Sequence, residues 1–207
     1  IVDLTKGHQP MRYTYRGKTY TIVYNGELYN ASALRRMIQA HHLRLRTTCD
    51  TEIVLKLFAL KGPRALHDFN GIFAFAIYES TTNRLFLARD PLGVKPLFYS
   101  YQNGTLAFAS EIKSLFCHPS IRPRVNVDGL RELFGIGPAR TPGKTVYTHI
   151  NEIKPGAYAW WQDGKLSTKT YFKLKSYPHP HNTTQTIQTI KTMLQEIVQN
   201  QLVGDVR

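Results

Sequence analysis

Two neighbouring apolar runs constrain the fold of this chain more than any other feature. Residues 71–78 are nearly all apolar, residues 84–89 form a second run, and a short polar stretch that includes the turn 80–83 lies between them. Runs of this length are typical of β-strands, and the short polar connection predicts an antiparallel hairpin. Because such strands are apolar on both faces, the hairpin must be covered on both sides, which requires a layered structure.

Further strands and helices supply the layers. Asn103-Gly104 and Asp163-Gly164 each lie between two strand-like runs, which predicts two more hairpins, at 97–109 and 157–172. Helical spacing predicts three helices that can cover part of the sheets, at 31–42, 51–61 and 127–136. Together these patterns predict an α+β chain, built as a layered sandwich with antiparallel sheets.

Composition narrows the classes of function. The chain has 207 residues and is 42% hydrophobic, enough for one substantial core or for one domain plus part of another. The sequence shows neither a membrane-length apolar run nor a basic-then-apolar leader, which favours a cytoplasmic protein with no membrane partner. Cys49 and Cys117 lie far apart without metal-ligand spacing, so neither a disulfide framework nor a metal site is predicted.

The net charge of +13 is the one unusual feature of the composition. It raises the hypothesis of a nucleic-acid partner. However, the basic residues occur in scattered pairs such as Arg35-Arg36, and no nucleic-acid-binding motif accompanies them. We therefore interpret the charge as a solvated surface and predict no nucleic-acid partner, although the charge itself stays without an explanation.

The segment Tyr24-Asn25-Gly26-Glu27 follows a strand-like run at 20–24 and precedes a helical pattern. Two interpretations of Asn25-Gly26 stay open. Asn-Gly is among the commonest turn dipeptides, and on these two residues alone a turn is favoured. Alternatively, a side-chain amide beside an unhindered glycine N–H can supply two hydrogen-bond donors to an oxyanion.

Several other polar residues have local structural interpretations. Asn30, Asp50 and Ser110 each stand where a side chain can cap a predicted helix. Cys117 is interpreted as ordinary packing. The loop 89–96 contains charged residues, two prolines and a glycine, and it fits either a ligand-binding loop or a self-bonded corner.

The end of the chain is predicted to form an amphipathic helix over about 184–203. Its apolar residues share one face, so the helix should dock on another surface. The preceding segment, 177–182, contains prolines and histidines and is interpreted as a linker.

A series of motifs in fixed order resembles one family. The motifs are IVDL, GHQPM, YNGELYN, TCDTE, NGIFAFAIY, LFLARDPLGVKPLFY, FASEIKSL and TPGKTVY followed by INEIKPG. This order is similar to the glutaminase domain of the glutamine-hydrolysing asparagine synthetases, which are class II glutamine amidotransferases. The resemblance covers residue 1 to about residue 172. It implies the N-terminal-nucleophile fold, a four-layer αββα sandwich.

The resemblance also implies roles for individual residues. Asn25, through its side chain, and Gly26, through its backbone N–H, would form the oxyanion hole and contact the substrate glutamine. Glu27 and Asp50 would hold the α-amino group of glutamine. Backbone groups of Ile1 and Val2 would line the same pocket.

Two departures from the family's pattern shape the expectations. The family's nucleophile is an N-terminal cysteine that uses its own α-amino group as base, whereas this chain begins with Ile1 and its two cysteines are internal. The family's arginine for the glutamine carboxylate and its ATP-binding loop also lie outside residues 1–207. We therefore expect a glutaminase domain at 1–176 that lacks about 50 N-terminal residues, a linker at 177–183, and the first helix of a synthetase domain at 184–207. By itself this chain is expected to be catalytically silent.

The implied activity of the whole protein is that of an asparagine synthase, a carbon–nitrogen ligase with glutamine as amide donor. Glutamine hydrolysis would supply ammonia for the ATP-dependent amidation of aspartate. ATP and Mg²⁺ are expected in the synthetase domain and no cofactor on this chain, and homodimers occur in the family. The alternatives are the glutaminase domain of another class II amidotransferase, or a non-catalytic basic binding module with the same fold. The segments SEIKSL and TPGKTVY favour the asparagine branch.

Overall fold

The computed structural model describes residues 7–137 and 141–202. Its strands are β1 (Met11–Tyr15), β2 (Lys18–Leu28), β3 (Gly71–Glu79), β4 (Arg84–Arg89), β5 (Phe98–Gln102), β6 (Thr105–Ala109), β7 (Ile150–Glu152), β8 (Ala157–Gln162) and β9 (Lys165–Thr170). Its α-helices are α1 (Ala31–Ala40), α2 (Asp50–Lys61), α3 (Ile112–Leu115), α4 (Val127–Ile136) and α5 (Thr183–Gln201), and a 3₁₀ helix over Gly62–His67 follows α2.

The described residues form two compact units. One contains Glu27–Gly71 together with the described parts of 1–8 and 173–207, and the other contains Gln9–Gly26 and Ile72–Phe172. We call them the helical unit and the sheet unit. The domain boundaries predicted at 176 and 183 concern the division of a longer protein and stay a prediction.

The strands form two sheets. A six-stranded sheet has the order β1-β2-β3-β4-β8-β9, and a three-stranded sheet has the order β6-β5-β7. The hairpins β3–β4, β5–β6 and β8–β9 are antiparallel, as the sequence predicts. At the second and third of these turns, Asn103-Gly104 and Asp163-Gly164 adopt positive φ angles, the conformation that a two-residue hairpin turn requires.

Small residues let the two sheets pack face to face inside the sheet unit. Along β3, residues 73–77 are all buried, because alternate side chains point to opposite faces of the sheet. The face with Ala74 and Ala76 joins a core with Leu87 and Ala159, against which Phe108 of β6 packs. The prediction that these apolar strands are covered on both faces is confirmed.

Helices contribute unequally to the cover. On the three-stranded sheet, Leu115 of α3 packs with Phe98, Ile121 and Ile150 in a second core. By contrast α4 buries none of its residues. The expectation that the helix at 127–136 covers a sheet is therefore wrong. Its apolar spacing is helical, but the side chains of Val127, Leu133, Phe134 and Ile136 are exposed.

The sequence left two interpretations of the loop after β4 open, a ligand-binding loop and a self-bonded corner. The structure shows a self-bonded corner. The buried Asp90 carboxylate accepts backbone N–H groups from Leu92, Val94 and Lys95 over 2.9–3.1 Å. The neighbouring Arg89 is also buried and forms an ion pair of 2.6 Å with Glu152. The charged groups of Arg89 and Asp90 are therefore engaged within the protein rather than presented to a ligand.

The helical unit buries one face of α1, with Leu34 and Ile38, and the first two turns of α2. Asn30 precedes α1 but does not cap it with its side chain, which corrects the predicted cap. Its side-chain amide instead donates to Asp68 O over 2.8 Å and accepts the N–H of Asn70 over 3.1 Å. Asn30 therefore joins the start of α1 to the segment that leads into β3.

Helix α5 begins with a capping box, in which the side chains of Asn182 and Gln185 bond each other's backbone N–H. Its apolar residues, among them Ile187, Leu194 and Ile197, are exposed in the described structure. The helix itself is confirmed, while its predicted docking stays a prediction. Among the described helices, none is long and apolar enough to cross a membrane.

Candidate active site

Strand β2 continues through Asn25 and Gly26 to Leu28, so the turn predicted there is wrong. The reason is the neighbouring strand. A Cβ atom on Gly26 would lie 2.3 Å from the carbonyl oxygen of Ile72 and 2.7 Å from the Cα of Phe73. Only a residue without a side chain permits this approach, so Gly26 serves close strand packing, with its backbone in a conformation ordinary for a strand.

The Asn25 side chain is exposed at the sheet unit's surface. Its Nδ2 donates to the Oγ of Ser110 over 3.4 Å. Ser110 follows β6 and is not the N-cap of α3, a position that Glu111 occupies, so its predicted role as a helix cap is wrong. The hydroxyl is directed to Asn25 instead.

A second side chain holds the backbone just before Asn25. The Nε2 of Gln9 donates to Tyr24 O over 2.8 Å, and Tyr24 N donates to the Oε1 of Gln9 over 2.5 Å. Gln9 lies within the GHQPM motif, but nothing in the local sequence indicated this pairing because fifteen positions separate the two residues.

Gln9, Asn25 and Ser110 line one cavity of about 270 Å³ within the sheet unit. The remaining lining includes Phe108 and Ala76, so the walls are largely apolar. A few polar groups that converge on a mostly apolar cavity are typical of a small-molecule site.

The helical unit carries the acidic residues. Asp50 is the first residue of α2, whose N-cap is Cys49, so the prediction that Asp50 caps the helix is wrong. Its Oδ2 accepts the N–H of Leu28 over 2.9 Å. The carboxylate is therefore tied to the end of β2, next in sequence to Glu27, rather than to its own helix.

Burial raises the pKa of the Asp50 carboxyl above its usual value of 3.8. The hydrogen bond from Leu28 and the charge of Arg35 lower this pKa, while the negative charge of Glu27 raises it. The net shift is upward. A positively charged ligand group placed beside these two carboxylates would reverse it, because a nearby cation favours the ionised form.

A hydrogen-bonded loop fixes the chain before Asp50. The buried Glu52 carboxylate accepts the N–H groups of Arg46 and Thr47 over 2.7–2.9 Å and pairs with Lys56 at 2.7 Å. Burial alone would raise the pKa of Glu52, but the bonds from Lys56, Arg46 and Thr47 together lower it. Arg35 adds bonds to the carbonyl groups at 47 and 48. No local sequence pattern indicated this network.

The structure also bears on the remaining candidate residues and on the predicted absence of a metal site. Ile1 and Val2 lie outside the described residues. Cys117 is exposed, so its interpretation as buried packing is wrong, whereas Cys49 is buried. Within residues 7–137 and 141–202, no group of three or more His, Cys, Asp or Glu side chains could hold a metal ion. The arrangement thus offers an amide donor in the sheet unit and, in the helical unit, the Asp50 carboxylate bonded to Leu28, next in sequence to the exposed Glu27.

Comparison with known proteins identifies the family. A family model described as a glutamine amidotransferase domain matches residues 1–172. The chain belongs to this family. Among similar proteins, asparagine synthetase [glutamine-hydrolyzing] 3 of Bacillus subtilis (strain 168) is 42% identical over 207 residues, which are 100% of this chain and 34% of that protein. Asparagine synthetase B [glutamine-hydrolyzing] of Escherichia coli (strain K12) is 31% identical over 207 residues, 100% of this chain and 32% of that protein.

This amidotransferase chain therefore spans about a third of the length of the curated relatives it matches. Among solved structures, the glutamine phosphoribosylpyrophosphate amidotransferase of B. subtilis, complexed with ADP and GMP, has a TM-score of 0.56 and 21% identity over 79% of this chain and 32% of that one. At this identity the likeness concerns the fold. The predicted fold class, α+β with antiparallel sheets of the N-terminal-nucleophile type, is confirmed.

Proposed function

We propose that this chain is the glutaminase part of a glutamine-dependent asparagine synthase. The family match supports glutamine as the substrate. The similarity to glutamine-hydrolysing asparagine synthetases over the whole chain supports asparagine synthesis over the reactions of other amidotransferases. In the full-length protein, ammonia from glutamine would serve the amidation of aspartate.

Within this proposal Asn25 and Gly26 stabilise the oxyanion. When a nucleophile attacks the side-chain amide of glutamine, the carbonyl oxygen gains negative charge. The Asn25 amide and the Gly26 N–H are donors on a strand that neighbouring contacts hold in place, so they need no rearrangement as that charge develops. Neither Cys49 nor Cys117 is proposed as the nucleophile, since neither carries a free α-amino group to act as base.

The observation that carries the proposal is the Asp50 carboxylate, which accepts the N–H of Leu28 at the end of β2, next in sequence to Glu27. Asp50 is partly buried, which raises its pKa, and the negative charge of Glu27 raises this pKa further. Two such groups are a suitable receptor for the α-ammonium group of an amino acid, because a charged amine taken from water needs charge-assisted hydrogen bonds. Ile1 and Val2 are proposed to line the same substrate pocket through their backbone.

The Asp50→Asn variant of the full-length protein tests this receptor. We expect the KM for glutamine to rise about 10- to 100-fold, since the variant loses a charge-assisted hydrogen bond. The wild-type KM should also rise as pH falls through the pKa of Asp50, which lies above 3.8. The sign follows because the ammonium group binds the ionised carboxylate and acidification neutralises it. The measurement is steady-state glutamate release across pH.

The Asp68→Asn variant is the matched control, because it removes a carboxylate of the same unit that pairs with Lys61. It should leave the KM and its pH dependence unchanged. The proposed receptor is wrong if Asp50→Asn and Asp68→Asn give the same KM, or if the acidic rise in KM persists in Asp50→Asn.

ATP, Mg²⁺ and aspartate belong to the downstream synthetase domain in this proposal, and no residue described here is assigned to them. ATP would supply the activation of the aspartate carboxyl group in that domain. A homodimer is the proposed assembly. Neither a nucleic acid nor a membrane is proposed as partner.

The direct test compares the 207-residue chain with the full-length protein. We expect the chain alone to release no glutamate from glutamine, and the full-length protein to release glutamate and to form asparagine from aspartate and ATP. Glutamate release by the chain that survives substitution of both Cys49 and Cys117 would contradict the assigned roles. A full-length protein that aminates a sugar phosphate instead of aspartate would favour another branch of the amidotransferases.

A further inference from the structure

Strand β2 is reinforced by a side chain where its regular pairing with β1 ends. The ladder between β1 and β2 ends with Met11 opposite Ile22. Beyond that point the side-chain amide of Gln9 bonds both the N–H and the carbonyl of Tyr24. A carboxamide presents one acceptor and N–H donors, the same groups as a peptide unit. Gln9 therefore continues the ladder to the residue immediately before Asn25.

The side chain of Asn25 is held separately. Its Nδ2 donates one N–H to the Oγ of Ser110, so the second N–H of the same group remains for a ligand. The Asn25 side chain is otherwise exposed and would sample several rotamers. A contact that fixes the amide plane lowers the entropy lost when an oxyanion must be bound.

The hydrogen bonds made by Gln9 and by Ser110 both restrain Asn25, one through the backbone and the other through the side chain. Gln9 fixes the main chain upstream of Asn25, and Ser110 fixes its side chain, while all three residues line the same cavity. Both contacts lie within the sheet unit. Such support around a donor is what an oxyanion site requires, because a misplacement of a few tenths of an ångström weakens its hydrogen bonds in the transition state.

We propose that Gln9 and Ser110 are positioning residues that hold Asn25 as an oxyanion donor. Gln9 acts through the backbone of Tyr24, and Ser110 acts through the side-chain amide. The inference rests on the proposed function of Asn25. It assigns no contact with glutamine to either residue.

The kinetic test uses the full-length protein. We expect Ser110→Ala to lower kcat for glutamine hydrolysis about 5-fold and Gln9→Met about 20-fold, each with KM within about 2-fold of wild type. Positioning also predicts non-additivity: Ser110→Ala should cause no further loss in an Asn25→Ala background. Loss of kcat in both backgrounds, or a change in KM alone, overturns the proposal.

Ser80→Ala is the matched control. Its Oγ also makes a 3.4 Å hydrogen bond to β2, but to Thr19 at the opposite end of the strand. The variant removes the same hydroxyl group far along the strand from Asn25, so kcat should stay at the wild-type value. A loss equal to that of Ser110→Ala would mean that any weakening of β2 lowers the rate, and the proposal would be overturned.

A structural readout separates this inference from the proposed function. In the 207-residue chain, Ser110→Ala should shift the two side-chain Nδ2 proton resonances of Asn25 towards those of a solvated asparagine, while Ser80→Ala leaves them in place. If the wild-type full-length protein hydrolyses no glutamine, the proposed function fails, and these resonances still decide whether Ser110 holds Asn25. Unchanged Asn25 resonances in Ser110→Ala overturn the positioning role, whatever the activity.

Discussion

Replacement of Asn25 by alanine in the full-length protein is expected to lower kcat for glutamine hydrolysis about 10²- to 10³-fold, the usual effect of removing one oxyanion donor. The KM for glutamine should change little, because the amide is proposed to act on charge that develops only in the transition state. Stability should stay within about 0.5 kcal/mol of wild type, since Asn25 is exposed. Stopped assays of glutamate release give both kinetic constants.

Two controls distinguish lost chemistry from lost structure. Asn25→Asp keeps the shape but replaces a donor with a negative charge, and it should reduce kcat at least as strongly as Asn25→Ala. Asparagine formation with added ammonia bypasses glutamine, so both variants should retain it. An Asn25→Ala protein that hydrolyses glutamine at more than about a third of the wild-type kcat would exclude the oxyanion role.

The Gly26→Ala substitution is expected to have the largest effect on stability. The added Cβ would lie 2.3 Å from the Ile72 carbonyl oxygen, a backbone atom that cannot rotate away as a flexible side chain could. The strands must separate locally, so we expect the free energy of unfolding to fall by about 3 kcal/mol or more. Urea unfolding of the 207-residue chain, followed by circular dichroism, measures the change.

Gly135→Ala is the matched control for Gly26→Ala. Gly135 lies in α4, and a Cβ there meets nothing within 4 Å. Alanine is a better helix former than glycine, so this variant should be neutral or more stable by up to about 1 kcal/mol. Equal stability of Gly26→Ala and the wild type would contradict the close approach of β2 and β3.

Local sequence predicted the strands well where each apolar run is bounded by its own turn. The hairpins at β3–β4, β5–β6 and β8–β9 are all confirmed. Their pairing partners are neighbours in the chain, so the sequence around each turn contains most of the information that sets the register. The helices α1 and α2 also form where they were predicted, but only α1 buries a single face, whereas α2 is buried on all sides over residues 51–58.

Polar residues near helix starts were predicted less well. Asn30, Asp50 and Ser110 all fit the pattern of helix caps, yet none caps a helix with its side chain. Asp50 instead bonds Leu28, and Ser110 bonds Asn25. A capping pattern is read from neighbouring residues, whereas these hydrogen-bond partners lie 22 and 85 positions away in the chain. Local helix propensity therefore could not predict them.

The dipeptide Asn-Gly occurs in this chain both as a turn and inside a strand. Asn103-Gly104 has two positive φ angles and closes a hairpin, whereas Asn25-Gly26 lies in the extended strand β2. Sequence by itself determined the three hairpins of neighbouring strands, the order of motifs and, through the family resemblance, which residues to examine. Only the tertiary structure decided that Gly26 packs against Ile72 and that Gln9 and Ser110 hold Asn25. The physical reason is that backbone preference at a dipeptide amounts to about 1 kcal/mol, and contacts from distant strands outweigh it.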